Sequence, residues 1–198
     1  MHSTLAVSTD GLPLGIIDQK IYSRPELSDE VLEIKKKSHN NALPIEKKES
    51  YRWVESLKNT NAIFDSHSSN PITICDRESD MYDFFLVAND LENQVLVRAN
   101  HNRKVNKKYI YSEITGIELW NLLKGKKPIG NIEIKVPKQK NQGDRIAKCE
   151  IKISQFELNP PRTHIDKNRK KLPISNMYAI YVSEEKTSND IECIDWMP

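Results

Sequence analysis

Glycine is scarce in this chain of 198 residues: there are six, and none falls in a GxGxxG or GxxxxGK[ST] pattern. Those loops need glycine for a tight turn and for close backbone approach to phosphate, so nucleotide sites built on them are excluded. Cysteine is scarcer still. Cys75, Cys149 and Cys193 are far apart, odd in number and free of any CxxC pairing, which argues against a disulfide framework and against a structural zinc site. They read as small apolar residues in a reducing compartment. The five histidines are scattered and offer no i, i+4 metal pair on a helix. Long apolar runs are missing too: nothing approaches the ~18–20 residues of a membrane helix. Met1-His2 opens directly into a strand-like segment with no signal peptide, so the expectation is a cytoplasmic chain that neither enters a membrane nor follows the conventional export route.

What is present is polar and unevenly charged. At 22.9 kDa, with a mean hydropathy of −0.65, the chain is long enough for one domain with a sizeable core, or for one domain carrying a large insertion. A compact chain of this size hides roughly 70% of the surface exposed when unfolded. The net charge of +2 conceals an asymmetry: residues 101–172 hold 18 Lys+Arg against 7 Asp+Glu, and the remainder 12 against 21. An acidic body with a basic second half suggests a polyanion-binding face on a domain suited to carboxylate chemistry. The alternative is that these lysines merely solvate exposed strand faces and edges.

The order of elements is legible from periodicity and turn residues. Thr4–Val7, an Asp10-Gly11 turn and Leu14–Tyr22 read as a hairpin. After a Lys35-Lys36-Lys37 run and Pro44, the spacing of Tyr51, Val54 and Leu57 predicts a helix from about Glu46 to Lys58. Asn70-Pro71 leads into Ile72–Cys75, a short apolar run of the kind buried centrally in a sheet. Met81, Phe84, Phe85 and Ala88 form a helical stripe, closed by Asn89-Asp90, and Gln94–Ala99 reads as a further strand. Beyond residue 104 the pattern turns to strands. Ile132, Ile134 and Val136 alternate with polar residues, as do Ala147, Cys149, Ile151 and Ile153 past a turn near Asn141–Gly143; a short helix is expected at Ile117–Leu123. A basic loop, Lys167–Lys171, precedes a strand at Met177–Val182. The expected organisation is an α/β core over residues 1–104 and a β-rich subdomain over residues 105–198, basic up to about residue 172.

Two groups of residues carry candidate chemistry. Asp76-Arg-Glu-Ser-Asp80 lies where an apolar strand ends and a helix begins, a position from which a carboxylate meets solvent and suits a hard cation such as Mg²⁺. Phosphodiester chemistry needs two or three such carboxylates, and Glu78 and Asp80 need not converge with Asp76. Ser79 and Asp80 equally suit capping of the helix start. Arg98, on a strand, is followed by His101, Arg103, Lys104, Lys107 and Lys108, a cluster suited either to phosphate contacts or to an exposed cationic patch.

Ile74-Cys-Asp76-Arg-Glu-Ser-Asp80-Met-Tyr82 resembles the (V/C)DREADxY motif of bacterial cut-and-paste transposases of the insertion-sequence-four family, relatives of the transposon-five enzyme. Other stretches agree in order. His2-Ser-Thr-Leu-Ala-Val7 through Gly11-Leu-Pro-Leu-Gly15 is similar to the strand pair after that family's first catalytic carboxylate. Lys48-Glu49-Ser50 with Arg52-Trp53 is similar to KESxRW, and Leu96-Val-Arg98-Ala-Asn-His101 to VVRSxH. Asn159-Pro160-Pro161 with Ile194-Asp195-Trp196 resembles the INPP…W part of the family's insertion. The resemblance spans nearly the whole chain. It implies a ribonuclease-H-like mixed sheet with a β-rich insertion, Mg²⁺ or Mn²⁺ as cofactor, and double-stranded DNA of transposon ends as partner, with further transposase chains as a second. Asp76 would be the second aspartate of the metal-binding and catalytic triad, and Arg98 with the basic residues after it would contact DNA.

The family's first aspartate stands on the strand before the one that opens here. Its glutamate belongs to a Y-x2-R-x3-E-x6-K string that does not occur in this sequence. The expectation is therefore an internal transposase fragment with one of three metal ligands and an incomplete sheet, open between the first hairpin and Ile72–Cys75. Such a fragment would be inactive in strand transfer by itself. The alternative is a truncated DNA-binding chain that inhibits transposition.

Overall fold

A computed structural model describes residues 1–23, 45–65, 70–110, 113–138, 143–161, 173–185 and 193–196, without the side chains of residues 47, 107–110 and 113–114. The Lys35–Lys37 run, Pro44, Asn141 and the Lys167–Lys171 loop lie outside the described residues. The architecture is mixed α/β, mostly strands with three α-helices, and the chain divides into two compact units, residues 1–96 and residues 97–160 with 173–198.

In the first unit, β1 (His2–Val7) and β2 (Pro13–Lys20) form the expected antiparallel hairpin, with His2 opposite Lys20. Gly11 takes a φ of +83°, which a side chain at this turn would resist. The helix α1 spans Tyr51–Phe64, starting later and ending later than its periodicity predicts. Residues 45–47 instead close a 3-10 turn, in which the Lys48 amide donates to the Ile45 carbonyl at 3.0 Å. Its far end runs on because Thr60 is buried one turn beyond Leu57 and no glycine or proline intervenes before Pro71. Then come β3 (Ile72–Cys75), a 3-10 turn at Arg77–Ser79, α2 (Tyr82–Asp90) and β4 (Gln94–Val97). Among the described residues the apolar core of this unit is Val54 and Leu57 from α1, with Tyr82, Phe84 and Ala88 from α2.

One expectation is corrected here. Ile72–Cys75 is not buried centrally in a sheet. Ile72 and Ile74 are 60% and 76% exposed. Among the described residues β3 pairs only with β4, and β1 only with β2, so the two pairs are separate sheets. Leu5, Val7, Leu14 and Ile16 are exposed as well. An apolar run signals burial only where another layer covers it, and no described element covers this face.

In the second unit, β5 (Lys104–Ile110) and β6 (Glu113–Glu118) pair antiparallel across a bulge after Val105. Asn106 there adopts a φ of +52°, and its side-chain oxygen accepts from the Glu157 amide at 2.7 Å. The short helix α3 spans Leu119–Lys124; Ile117 belongs to β6. The strands β7 (Gly130–Val136), β8 (Arg145–Leu158), β9 (Ser175–Glu184) and β10 (Asp195–Trp196) make an antiparallel sheet ordered β10-β9-β8-β7. The predicted alternation sets its register: Ile132 faces Cys149 and Ile134 faces Ala147. Ala147, Cys149 and Ile194 form a buried cluster with Ile134, Val136 and Val182 against it. Farther along β8 burial passes to the opposite face, where Ser154, Phe156 and Leu158 are covered together with Ala179 and Tyr181 of β9.

A bidentate ion pair ties this sheet together. Both terminal nitrogens of Arg145 donate to the carboxylate of Glu184, one of them at 2.9 Å, and the Ile194 amide donates to the same carboxylate at 3.0 Å. The Glu184 side chain is almost inaccessible. The hydrogen bonds from Arg145 hold its carboxyl below the ordinary value of 4.5, outweighing the opposite effect of burial. The folded state therefore binds this proton less readily than the unfolded chain. The resulting stabilisation is full above pH 4.5 and fades as pH falls below it toward the folded-state pKa. Urea unfolding from pH 3 to 7 is expected to show this loss, and Glu184→Gln to remove that part of the pH dependence while lowering stability at neutral pH. A variant as stable as the parent at pH 7 would mean that the pair contributes nothing.

Candidate catalytic and nucleic-acid-binding residues

Asp76 follows the last residue of β3 in extended conformation (φ −75°, ψ 170°), and its carboxylate accepts from the Arg77 amide at 2.7 Å, capping the 3-10 turn. The Ser79 hydroxyl donates to the Asp76 carbonyl at 2.7 Å. Ser79 is thus spent on the same turn, and Met81, at the N-cap position of α2, makes no side-chain cap. Asp76 stays exposed at the strand end, while Asp80 is buried.

Around this turn, distant segments meet. Arg52 on α1 donates to Glu78 at 2.6 Å and to the Tyr22 hydroxyl at 3.1 Å, with its guanidinium 5.7 Å from the Tyr22 ring centre. The neighbouring Trp53 ring and the His2 ring meet edge to face, centroids 4.5 Å apart at 81°. Burial, with the Arg52 charge adding to it, lowers the His2 pKa from its ordinary 6.5. Lys20 of β2 pairs with Glu55 of α1. These contacts fix the hairpin, α1 and the Asp76 turn relative to one another.

Beside the turn a cavity of about 400 Å³ opens between β1 and β3, with Asp76 at its rim and α1 along its floor. At that floor the Trp53 indole N–H and the Thr60 hydroxyl are buried without a hydrogen-bond partner. The Thr4 and Ser56 hydroxyls bond to each other at 2.6 Å across the junction of β1 and α1. Burial pushes the Cys75 thiol pKa up.

Among the described residues the donor set of a two-ion centre is not assembled. No three His, Cys, Asp or Glu side chains among the described residues stand close enough to hold a metal ion, and Glu78 is engaged with Arg52. Asp76 by itself does not meet the two or three carboxylates that such a site takes.

The basic candidates fall in the second unit. Arg98 is exposed just after β4 rather than within a strand, because the strand ends at Val97. His101 is exposed beside Asn100, with 3.4 Å between their side-chain nitrogens. Arg103 is half-buried; its amide donates to the His101 carbonyl at 2.9 Å, and its carbonyl accepts from the Leu119 amide at 3.0 Å, so the backbone here is fixed at the base of α3. Lys104 opens β5, exposed and opposite Glu118. Lys107 and Lys108 continue that strand, but their side chains lie outside the described residues. Exposed lysines recur beyond this cluster, at Lys124, Lys126 and Lys127 after α3 and at Lys135, Lys138 and Lys148 near the β7–β8 hairpin.

No protein-family model matches the sequence. Residue patterns alone singled out Asp76 and the basic segment. They missed the pairing of Arg52 with Glu78 and the unsatisfied Trp53 and Thr60, for which a single sequence carries no local signal.

Proposed function

We propose that this chain is part of a DNA-transposition system of the insertion-sequence-four kind, with double-stranded DNA as its partner and an incomplete ribonuclease-H-like sheet as its first unit. The observation that carries the reading is the convergence of three of the stretches that resemble the family. His2 meets Trp53 edge to face, and Arg52, next to Trp53, pairs with Glu78 beside Asp76. Segments scattered along the sequence that share one motif set and meet at one exposed strand-end carboxylate are better accounted for by a common site than by chance. On this reading Asp76 is one of three metal-binding carboxylates and the other two come from other segments, so this chain does not cleave DNA unaided.

Two measurements test it. Fluorescence anisotropy with a generic 30-base-pair duplex should give an affinity that falls steeply with salt, log K dropping by roughly 0.9 per phosphate contact per tenfold rise in salt. Plasmid incubated with the chain in Mg²⁺ or Mn²⁺ should remain unnicked. An absence of salt-sensitive DNA affinity defeats the proposal. Nicking that Asp76→Asn abolishes would replace it with a self-sufficient nuclease.

A second reading, a DNA-binding chain that inhibits transposition, is favoured by the surplus of exposed lysines in the second unit. It requires that the chain lower the activity of an intact transposase on shared DNA ends.

A further inference from the structure

We infer that β7 is the contact strand of a symmetric dimer: it pairs antiparallel with β7 of a second copy of this chain, Ile134 opposite Ile134, so that the two β10-β9-β8-β7 sheets become one. This goes beyond the DNA-binding role and does not depend on it.

Three observations single out this edge. The first is its regularity. Among the described residues β7 is the last strand of its sheet, and it keeps one unbroken register with β8, from Gly130 opposite Ile151 to Val136 opposite Arg145. Alternate residues of such a strand aim their N–H and C=O groups away from β8. Natural sheets blunt their edges with bulges, proline or very short strands. β7 has no bulge, and Pro128 and Pro137 both stand outside it. Gly130, Asn131, Ile132 and Glu133 are exposed in succession, Ile132 at 45%.

The second is the self-complementarity of its sequence, which selects both the occupant and the register. The pleat requires that the side bearing Ile132, Ile134 and Val136 continue into the same side of the added strand. Of the registers that do this, those centred on Glu133 or Lys135 set like charges opposite each other, which is unfavourable. Centring on Ile132 faces Ile134 with Gly130 and Lys135 with Ile129. Centring on Ile134 instead pairs Ile132 with Val136 twice and Glu133 with Lys135 twice. Ile134 and Val136 already pack on the cluster of Ala147, Cys149 and Ile194, so this register continues one apolar layer across the two-fold axis. The third is the charge of the flanking hollows. One of about 260 Å³ is lined by Glu133, Glu150 and Glu185 with Lys148, although Glu150 also meets Lys152 at 3.6 Å. Another of about 590 Å³, at the other end of the strand, is lined by Lys135 and Arg145 with Asp144. The same symmetry lays the second copy's Lys135 against the acidic hollow and its Glu133 against the basic one.

The test is sedimentation equilibrium of the full chain, with hydrogen exchange read over residues 130–136. The mass should rise from monomer toward dimer with concentration, and exchange over β7 should slow in step. Glu133→Lys and Lys135→Glu each set like charges opposite in both symmetric pairs and should weaken the dimer at least about tenfold. Mixing the two variants restores both attractive pairs, so the mixture should form a heterodimer about as tight as the parent dimer. The double variant carrying both changes should dimerise by itself for the same reason. Both positions are exposed, and Lys135 faces Ile146 within its own chain, so Lys135→Glu creates no like-charge pair across β7 and β8. A mass that stays monomeric up to about 1 mM overturns the inference. So does exchange over residues 130–136 that ignores concentration, which would place the contact elsewhere or mean that the edge is filled within the chain. Single variants that dimerise like the parent, or a mixture and a double variant that both stay monomeric, overturn it as well.

Discussion

Replacing Phe84 by alanine is expected to lower the stability of the first unit by about 3–5 kcal/mol, the usual cost of truncating a fully buried phenylalanine. Phe84 is wholly inaccessible, and its ring meets Phe85 edge-on at a centroid distance of 6.1 Å. Among the described residues of this unit the other buried apolar side chains are few, Val54 and Leu57 of α1 with Tyr82 and Ala88 of α2. The other face of the strands cannot make up the loss, because Leu5, Val7, Ile72 and Ile74 are already in contact with solvent. Against a typical domain stability of ~5–15 kcal/mol, the variant should have a first unit close to unfolding at room temperature. Amide exchange over residues 51–64 and 82–90 should rise by two to three orders of magnitude, roughly the factor such an energy implies. Phe85→Ala, at a half-buried position on the same helix, should cost clearly less. If the two variants behave alike, Phe84 is not the centre of the core.

The elements that could be read from the sequence are those whose signal is local. The stripe of Phe84, Phe85 and Ala88 marked α2, and the alternation of Ile132, Ile134 and Val136 against Ala147 and Cys149 marked β7 and β8, because each period reports one covered face. Asp76 was legible for a related reason: a carboxylate after a short apolar run falls at a strand end whatever the rest of the fold does. Where the answer depends on distant partners, local pattern misled. Ile72–Cys75 has the composition of a central strand, yet its position depends on a neighbour that no described residue supplies, and Ile74 is among the most exposed large apolar residues of the unit. Residues 46–50 include good helix formers, but a 3-10 turn closes at residues 45–47 and the α-helix begins only at Tyr51. Ser79 looked like a helix cap and instead bonds the Asp76 carbonyl. Arg52 with Glu78 and Arg145 with Glu184 are separated by 26 and 39 residues, and no periodicity links such positions. The candidate site was thus visible as a list of residues and hidden as a geometry.

Neutralising Arg98, Arg103 and Lys104 together, each to glutamine, is expected to weaken binding of double-stranded DNA on the order of 10²–10³-fold at 0.1 M salt and to reduce the slope of log K against log salt by about 2.7, if each residue neutralises one phosphate. The slope is the decisive quantity, because a variant that merely misfolds loses affinity without leaving a defined salt dependence. Two features make the triple variant a fair test. Arg98 and Lys104 are exposed, so their loss leaves no buried gap. At Arg103 the main-chain bonds to His101 and Leu119 survive a change of side chain. A second triple variant, Lys135, Lys138 and Lys148 to glutamine, samples exposed cations elsewhere in the same unit. A DNA face formed by the segment after β4 predicts a small change in slope for this second set. Equal losses from both sets would mean that the cationic surplus of residues 101–172 acts as a diffuse field with no defined face. A slope untouched by either set would leave these lysines and arginines as the solvated surface of β-hairpins, and with that the DNA partner would fall away.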